Sequence, residues 1–229
     1  MSKVLVIGDT HCPCMLKGYV PFLKRTYKKH KCNRVVHIGD LIDWASISYH
    51  EKSGALKDAP GEYRKAKEQV AEIYKAFPKV TWLIGNHDSL PERQATTAGI
   101  PKEAIRTYQD MWNVPTWHVI DRYDSVVIDG VIYQHGDRGK GGQFAALKNA
   151  KEEFCSVVQG HQHAQAGVWY SANQRPTKQG GRIFGMNVGC GVHTKSLAFA
   201  YGKDFPSKPI VSCGVVHEGE DPILFRMRL

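Results

Sequence analysis

The sequence predicts an α/β fold in which two mixed sheets pack face to face between helices, a four-layer αββα sandwich. Up to about residue 117, short apolar runs alternate with segments of helical periodicity. That order is expected of parallel strands joined by right-handed crossovers. After this point short strands and turns follow one another, which is typical of a second sheet.

The first half contains three predicted strands and two long helices. Short apolar runs are typical of buried strands, and they lie at Val4–Ile7, Val35–Ile38 and Val80–Ile84. The spacing of Val20, Leu23 and Tyr27 predicts a helix over Tyr19–Lys29. Apolar residues at the same spacing predict another over Glu62–Phe77.

The second half begins with a predicted hairpin. Asp129-Gly130 separates the apolar segments Val126–Ile128 and Val131–Tyr133, a strong signal for a two-residue turn. A helix is predicted over Phe144–Phe154. Further strands are predicted at Gly167–Tyr170, Arg182–Val188, Leu197–Tyr201, Ile210–His217 and Ile223–Met227.

We expect a single domain over residues 1–229 with insertions at about 44–61 and 89–115. Both insertions begin directly after polar loops, so we expect them to cover a site and to set its specificity. The second insertion contains a predicted helix over Lys102–Trp112. No apolar stretch approaches the roughly 20 residues that span a bilayer, and the N-terminus resembles no secretory signal. These features predict a cytoplasmic protein without a membrane partner.

Charge and cysteine content leave two questions open. The formal net charge is +9, and the stretch from Lys17 to Arg34 has seven basic residues and no acidic one. That stretch is either a solvated helix face or a surface that attracts a polyanion such as nucleic acid. The six cysteines lack a disulfide or zinc-site spacing, and we expect free thiols, although Cys12 and Cys14 flank a candidate ligand.

Five polar clusters follow apolar runs. They are Asp9-Thr10-His11, Gly39-Asp40-Leu41-Ile42-Asp43, Gly85-Asn86-His87-Asp88, His135-Gly136 and Gly160-His161-Gln162-His163. Loops that leave strand ends are the usual ligand-binding loops of α/β domains. Aspartate, histidine and asparagine donors suit divalent cations. The sequence therefore predicts a metal-centred site at one edge of a sheet.

In this order, the five motifs resemble the signature of the calcineurin-like metallophosphoesterase superfamily. The match runs from residue 9 to residue 163, and Asn187-Val188-Gly189 resembles the turn that often follows the histidine pair. The resemblance implies a two-sheet sandwich and phosphoester hydrolysis by a hydroxide bound to two divalent metal ions. Mn is the first expectation for these ions, with Fe, Zn, Co and Ni as alternatives.

The resemblance also implies a role for each candidate residue. The ligands of the first ion would be Asp9, His11, Asp40 and His163, and those of the second Asp40, Asn86, His135 and His161. His87 would contact the phosphate and protonate the leaving oxygen. Asp43 would be the carboxylate that orients His87 and favours its proton-donating form.

Other polar residues keep two interpretations each. Asp88 is either a turn acceptor or a catalytic carboxylate, and Arg138 or Lys140 either contacts a phosphate or belongs to a mobile turn. His37 is expected to pack within its strand. His193 is a candidate for lining the cleft, whereas the histidines without motif support are His50, His118 and His217.

The substrate is less defined than the reaction. Asp43 is followed by Trp44-Ala45 and His87 by Asp88, which departs from the protein Ser/Thr phosphatase branch and is closer to bacterial and phage-like phosphodiesterases. Nucleotide or nucleic-acid substrates are favoured, because the chain is basic and aromatic residues of the insertions are able to stack on bases. These aromatic residues, which serve equally well as packing, are Trp44, Tyr49 and Trp112.

Three alternatives stay open. The first is a phosphomonoesterase that acts on phosphoproteins or small metabolites. The second is a catalytically inactive interaction scaffold, and the third a basic nucleic-acid-binding module with structural metals. The sequence makes no prediction of oligomeric state.

Overall fold

The computed structural model describes residues 2–49, 58–173, 181–192 and 208–229. The strands in these ranges are β1 (Lys3–Ile7), β2 (Arg34–His37), β3 (Thr81–Leu83), β4 (His118–Ile120), β5 (Val126–Ile128), β6 (Val131–Gln134), β7 (Ser156–Gln159), β8 (Ala166–Ala172), β9 (Arg182–Val188), β10 (Ser212–His217) and β11 (Asp221–Arg226). The α-helices are α1 (Tyr19–Lys29), α2 (Ala59–Ala76), α3 (Leu90–Thr97), α4 (Tyr108–Trp112) and α5 (Ala145–Glu152).

The described strands form two mixed sheets. The first has the order β11-β10-β1-β2-β3-β4, in which β1 to β4 run parallel, β10 pairs antiparallel with β1, and β11 pairs antiparallel with β10. The second has the order β5-β6-β7-β9-β8, in which β6, β7 and β9 run parallel. The parallel strands of the first half are therefore confirmed.

Strand β1 shows how the core is divided. Leu5 and Ile7 belong to the apolar cluster under α1 and α2, whereas Val4 and Val6 belong to the cluster between the two sheets. Successive side chains of a strand point to opposite faces, so a strand that is apolar at every position is buried on both sides. This is why the apolar runs of the first half identify central strands.

Helices cover both outer faces. Helices α1 and α2 contribute Leu23 and Val70 to the first apolar cluster. On the other side α5 packs against β9 at Gly185, where a Cβ would overlap the backbone of Ala146 and Leu147. The four-layer αββα arrangement predicted from the sequence is confirmed.

The second insertion differs from its prediction. The helix predicted over Lys102–Trp112 is wrong, because the chain forms a 3₁₀ turn at Lys102–Ala104 and then becomes extended at Ile105. A new helix, α4, begins only after Thr107, whose side chain accepts a hydrogen bond from the N–H of Asp110. Helix α3 and strand β4 were not predicted.

The hairpin prediction is confirmed. Asp129 and Gly130 both have positive φ, 50° and 78°, as a type I′ turn between paired strands requires. The strand predicted at Leu197–Tyr201 lies outside the described residues. Within the described residues, no helix combines the length and apolar character needed to cross a membrane.

Candidate metal centre

All five polar clusters lie where parallel strands end. Asp9, Asp40 and Asn86 follow β1, β2 and β3 of the first sheet. His135 and His161 follow β6 and β7 of the second sheet. The carboxyl ends of parallel strands lie at the same edge of a sheet. The two sheets bring their edges together, so donors from both meet.

One set of donors joins both sheets. It consists of Asp9, His11, Asp40 and His163, and one donor atom of each residue lies within 4.8 Å of the others. Nε2 of His163 lies 2.8 Å from Oδ2 of Asp9 and 3.2 Å from Nε2 of His11. Nε2 of His11 lies 3.8 Å from Oδ2 of Asp40. These are the four residues named for the first ion.

A second set shares Asp40 with the first. Donor atoms of Asp40, His135 and His161 lie within 4.8 Å of one another. Nε2 of His135 is 3.3 Å from Oδ2 of Asp40 and 3.0 Å from Oδ1 of Asn86. The four residues named for the second ion are therefore also gathered.

Asp40 is shared by the two donor sets through its Oδ2 atom. Its Oδ2 faces histidines of both sets, whereas its Oδ1 accepts a hydrogen bond from the backbone N–H of His87 at 2.8 Å. The carboxylate is thus held on one side by the loop that follows β3. Its other oxygen is oriented toward the shared position.

Hydrogen bonds between the two sheets fix the donor orientation. The N–H of His161 donates to Oδ2 of Asp9 at 2.9 Å. Nδ1 of His135 lies 3.0 Å from the backbone oxygen of Ile38. Because a carbonyl only accepts, Nδ1 of His135 carries a proton, and Nε2 is the ring nitrogen that would bind a cation after losing its own proton.

The backbone at these positions is unusual. His11, Asp40 and His161 all have positive φ, at 44°, 47° and 63°. This conformation is costly for residues other than glycine and is found mainly where a site needs it. Asp9 and His11 therefore reach the same set through a left-handed bend at His11 rather than through extended backbone.

Two motif glycines leave room for the carboxylates. A Cβ at Gly85 would overlap the side chain of Asp40, and a Cβ at Gly160 would overlap that of Asp9. Glycine is required where another group approaches the backbone this closely. The glycines of these motifs thus admit the donors of the neighbouring loops.

Three buried polar atoms of the site have no hydrogen-bond partner among the described residues. They are Oδ1 of Asp9, Oδ2 of Asp40 and Nδ1 of His161. Most buried polar atoms in proteins are hydrogen-bonded, so three such atoms in one cluster need an explanation. Bound cations would satisfy them, and the donor chemistry fits divalent ions.

The protonation states of the site residues also indicate a place for cations. Burial opposes the ionisation of Asp40, but the histidines around it, His135 first, hold its pKa well below the ordinary range. Burial lowers the pKa of His11, and His87 and His163 lower it further, so His11 is neutral. Burial also disfavours a charged His135, yet Asp40 outweighs this and raises its pKa to about 10. A proton on His135 thus takes the place that a cation would hold beside Asp40.

Asp43 and His87 are arranged differently from the expectation. Oδ1 of Asp43 lies 2.8 Å from Nδ1 of His11 and 3.5 Å from Nδ1 of His87. Nδ1 of His87 instead donates to the backbone carbonyl of Asp43 at 2.6 Å. The main chain of Asp43 orients His87, and its carboxylate contacts His11.

Asp88 is a turn acceptor. Its carboxylate accepts hydrogen bonds from the N–H groups of Ile42 and Gly85 and from Nε1 of Trp82. The side chain is buried among these donors. The structure thus favours the turn interpretation of Asp88 over the catalytic one.

His37 packs within its strand, as expected, and also links two loops. Its Nε2 lies 3.1 Å from Oγ1 of Thr10, and this hydroxyl donates to the carbonyl of Leu41. The thiol of Cys12 is buried and lies 3.9 Å from the same hydroxyl. Thr10 therefore connects the loop of Asp9 to the loop of Asp40.

The remaining candidates are exposed, contact other residues or lie outside the described residues. Arg138 and His118 are exposed, and Lys140 pairs with Glu152 at 3.2 Å. His217 packs against His30. His50 and His193 lie outside the described residues.

The tryptophans of the insertions pack rather than face solvent. Trp44 is 8% exposed and Trp112 is 2% exposed. The ring of Trp44 stacks on Tyr63 at 6.1 Å and contacts Trp112 at 5.5 Å. Of the two interpretations of these tryptophans, packing is therefore favoured over stacking on bases. Tyr49 is half exposed and lies under the guanidinium of Arg93.

Two residues that the sequence did not single out for a role support the site. Nδ2 of Asn187 donates to the carbonyls of Gln162 and Gln165 and so holds the loop of the histidine pair. Arg122 contacts Asp137 and Ser89 beside two other donor loops. For Asn187, the Asn-Val-Gly turn was a usable signal. The sequence around Arg122 contains no such signal.

Comparison with known proteins identifies the class. The family model described as calcineurin-like phosphoesterase matches residues 2–174. The chain therefore belongs to the calcineurin-like phosphoesterase family. No curated protein matches the chain.

Solved structures of low sequence identity are similar to this chain. A metallophosphoesterase from Sphaerobacter thermophilus has 13% identity and a TM-score of 0.49, with 99% of this chain and 88% of that chain covered. Yfce, a phosphoesterase from E. coli, has 15% identity and a TM-score of 0.42, with 94% and 88% covered. Vacuolar Protein Sorting 29 from Cryptosporidium parvum has 19% identity and a TM-score of 0.45, with 99% and 98% covered.

Proposed function

We propose that this protein hydrolyses phosphoester bonds with two divalent metal ions, Mn first among them, and acts on nucleotides or nucleic acids. One observation carries the proposal. Oδ2 of Asp40 is buried, has no hydrogen-bond partner among the described residues, and faces the histidines of both donor sets. A shared carboxylate is the usual element that joins two ions at one phosphate.

Each donor set would hold one ion. The first would bind Asp9, His11, Asp40 and His163, and the second would bind Asp40, Asn86, His135 and His161. When bound, two such ions supply Lewis-acid polarisation of the phosphoryl oxygens and favour the ionisation of water near neutral pH. The protein contributes a fixed separation between the sets through its cross-sheet hydrogen bonds.

His87 is suited to protonate the leaving oxygen. Its backbone N–H binds Asp40, so the ring is tied to the shared carboxylate. Its Nδ1 donates to the carbonyl of Asp43, and the Asp43 carboxylate lies 3.5 Å away. With Nδ1 held by this carbonyl, Nε2 is the ring nitrogen left to carry a proton to the leaving oxygen.

The substrate preference rests on charge. The net charge of +9 favours a polyanion, and the basic side chains of α1 are exposed. The burial of Trp44 and Trp112 removes two of the three aromatic residues proposed to stack on bases. Tyr49 is the aromatic residue of the first insertion that is accessible to a ligand.

A substrate panel tests the proposal. The chelated protein is reloaded in turn with Mn²⁺, Fe²⁺, Zn²⁺, Co²⁺ and Ni²⁺ and assayed with an aryl phosphodiester, an aryl phosphomonoester and single-stranded DNA. We expect turnover that needs the metal and falls about 10²- to 10⁴-fold in His87→Ala with both ions still bound. Turnover of none of the three substrates with any of the metals would contradict the proposal.

Two control variants separate the classes of protein. Asp40→Asn should abolish turnover, whereas Asp121→Asn, at a side chain that is 64% exposed, should leave it unchanged. A nucleic-acid-binding module would instead give salt-sensitive DNA binding that survives both His87→Ala and chelation. An inactive scaffold would give neither turnover nor metal-dependent change.

A further inference from the structure

Arg122, which follows β4, contacts two loops of the candidate metal centre. Its Nε and Nη2 lie 2.9 and 2.8 Å from Oδ2 of Asp137. Its Nη1 lies 3.2 Å from Oγ of Ser89. One guanidinium group therefore spans the loop after β3 and the loop after β6.

Both contacts lead directly to donors of the second set. Asp137 is two residues beyond His135. The hydroxyl of Ser89 donates to the backbone carbonyl of Asn86 at 3.1 Å. Arg122 is thus one contact away from the chain segments that carry Asn86 and His135.

Those segments come from different sheets. Asn86 follows β3 of the first sheet and His135 follows β6 of the second, yet Oδ1 of Asn86 and Nε2 of His135 are 3.0 Å apart. Their separation depends on how the two loops are held relative to each other. A guanidinium is planar and presents its donors in a fixed fork, so it can set this distance.

The contact is shielded from solvent. The side chain of Asp137 is 6% exposed and that of Arg122 is 20% exposed. Exposed ion pairs contribute little, but breaking a shielded pair leaves an uncompensated charge. The nearby pair of Lys102 and Asp121 is the contrast, because its side chains are 56% and 64% exposed.

We propose that Arg122 is a positioning residue for the second of the two metal ions. Through Ser89 and Asp137 it fixes the separation of Asn86 and His135, and so determines the affinity for that ion. The first donor set does not depend on this link, since its residues are joined by their own contacts. The inference rests on the proposed two-metal function.

Titration of the metal-free protein with Mn²⁺ tests the inference. Electron paramagnetic resonance distinguishes a single Mn²⁺ ion from a spin-coupled pair, so each binding step is observed without an activity assay. In Arg122→Met, Arg122→Lys and Ser89→Ala we expect the first ion to bind within about twofold of wild-type affinity. The second should bind about 10- to 100-fold more weakly, as for other residues that orient metal ligands.

The controls distinguish the possible failures. Lys102→Met removes one positive charge from a nearby exposed pair and should bind both ions as the wild type does. If the Arg122 variants bind both ions equally more weakly, or bind both as the wild type does, the inference is overturned. If Arg122→Met does not fold, Arg122→Lys and Ser89→Ala decide the result. A wild-type chain that binds fewer than two ions would overturn the proposed function, and the inference with it.

Discussion

Nδ1 of His11 lies 2.8 Å from the carboxylate of Asp43, which places Asp43 behind a candidate ligand of the first ion. A proton on Nδ1 makes His11 a donor to this carboxylate and leaves the lone pair of Nε2 for a cation. The ring of His87 is held separately by the main-chain carbonyl of Asp43. The two histidines therefore depend on different atoms of the same residue.

Asp43→Asn should weaken binding of the first ion and leave the orientation of His87 unchanged. The amide of asparagine is able to donate to Nδ1 of His11, which would move the ring proton to Nε2 and block ligation. We expect about 10- to 100-fold weaker binding of the first ion in a Mn²⁺ titration. If only the acid limb of the pH–rate profile moves, Asp43 acts on His87 instead.

Gly160→Ala should disturb both stability and metal binding. The new Cβ would overlap Oδ1 of Asp9 and Cγ2 of Ile38. Overpacking of this kind costs about 1–3 kcal/mol, which urea denaturation measures. The matched control is Gly141→Ala, where a Cβ meets no described heavy atom within 4 Å and should cost less than about 0.5 kcal/mol. Equal stability of the two variants would show that Asp9 lies elsewhere.

Asp88→Asn should destabilise the fold while sparing the chemistry. The carboxylate accepts three N–H donors, and an amide would turn its own NH₂ toward one of them. We expect the unfolding free energy to fall by about 1–3 kcal/mol, against no measurable change for Asp121→Asn. A more than tenfold loss of turnover at unchanged stability would instead make Asp88 catalytic.

His30 should make stability depend on pH. It packs against His217 and Phe225, and burial, together with His217 and Lys29, lowers its pKa below the ordinary 6.5. The unfolded chain then binds a proton more readily than the folded chain. The contribution of His30 is therefore present above about pH 6.5 and lost as the pH falls below it.

The measurement is urea denaturation between about pH 7.5 and about pH 5. The unfolding free energy should fall less over this range in His30→Gln than in the wild type. His118→Gln, at an exposed histidine, should keep the wild-type dependence. A His30→Gln variant with wild-type pH dependence would contradict the assignment.

The central elements were predictable because one local signal defines each of them. Helix α1 occupies Tyr19–Lys29 as predicted, since its apolar residues recur on one face. Strand β1 was visible because every residue from Val4 to Ile7 is apolar and buried. The donor residues were visible as polar interruptions directly after such strands.

The missed features depend on contacts between distant residues. Strand β4 is three residues long and only partly buried, so pairing with β3 defines it rather than its own sequence. Arg122 lies 15 residues from Asp137 and 33 from Ser89, and nothing near it in sequence indicates either contact. Trp44 and Trp112 are aromatic residues in loop-like segments, and only the tertiary structure distinguishes packing from ligand stacking.

The donors span the chain from Asp9 to His163 and come from both sheets, which has a consequence for assembly. Contacts between residues so far apart in sequence form late, after long-range strand pairing. During synthesis, neither complete donor set exists until the chain beyond β7 has emerged and the sheets have docked. A cation that needs a complete donor set could therefore bind only after that point.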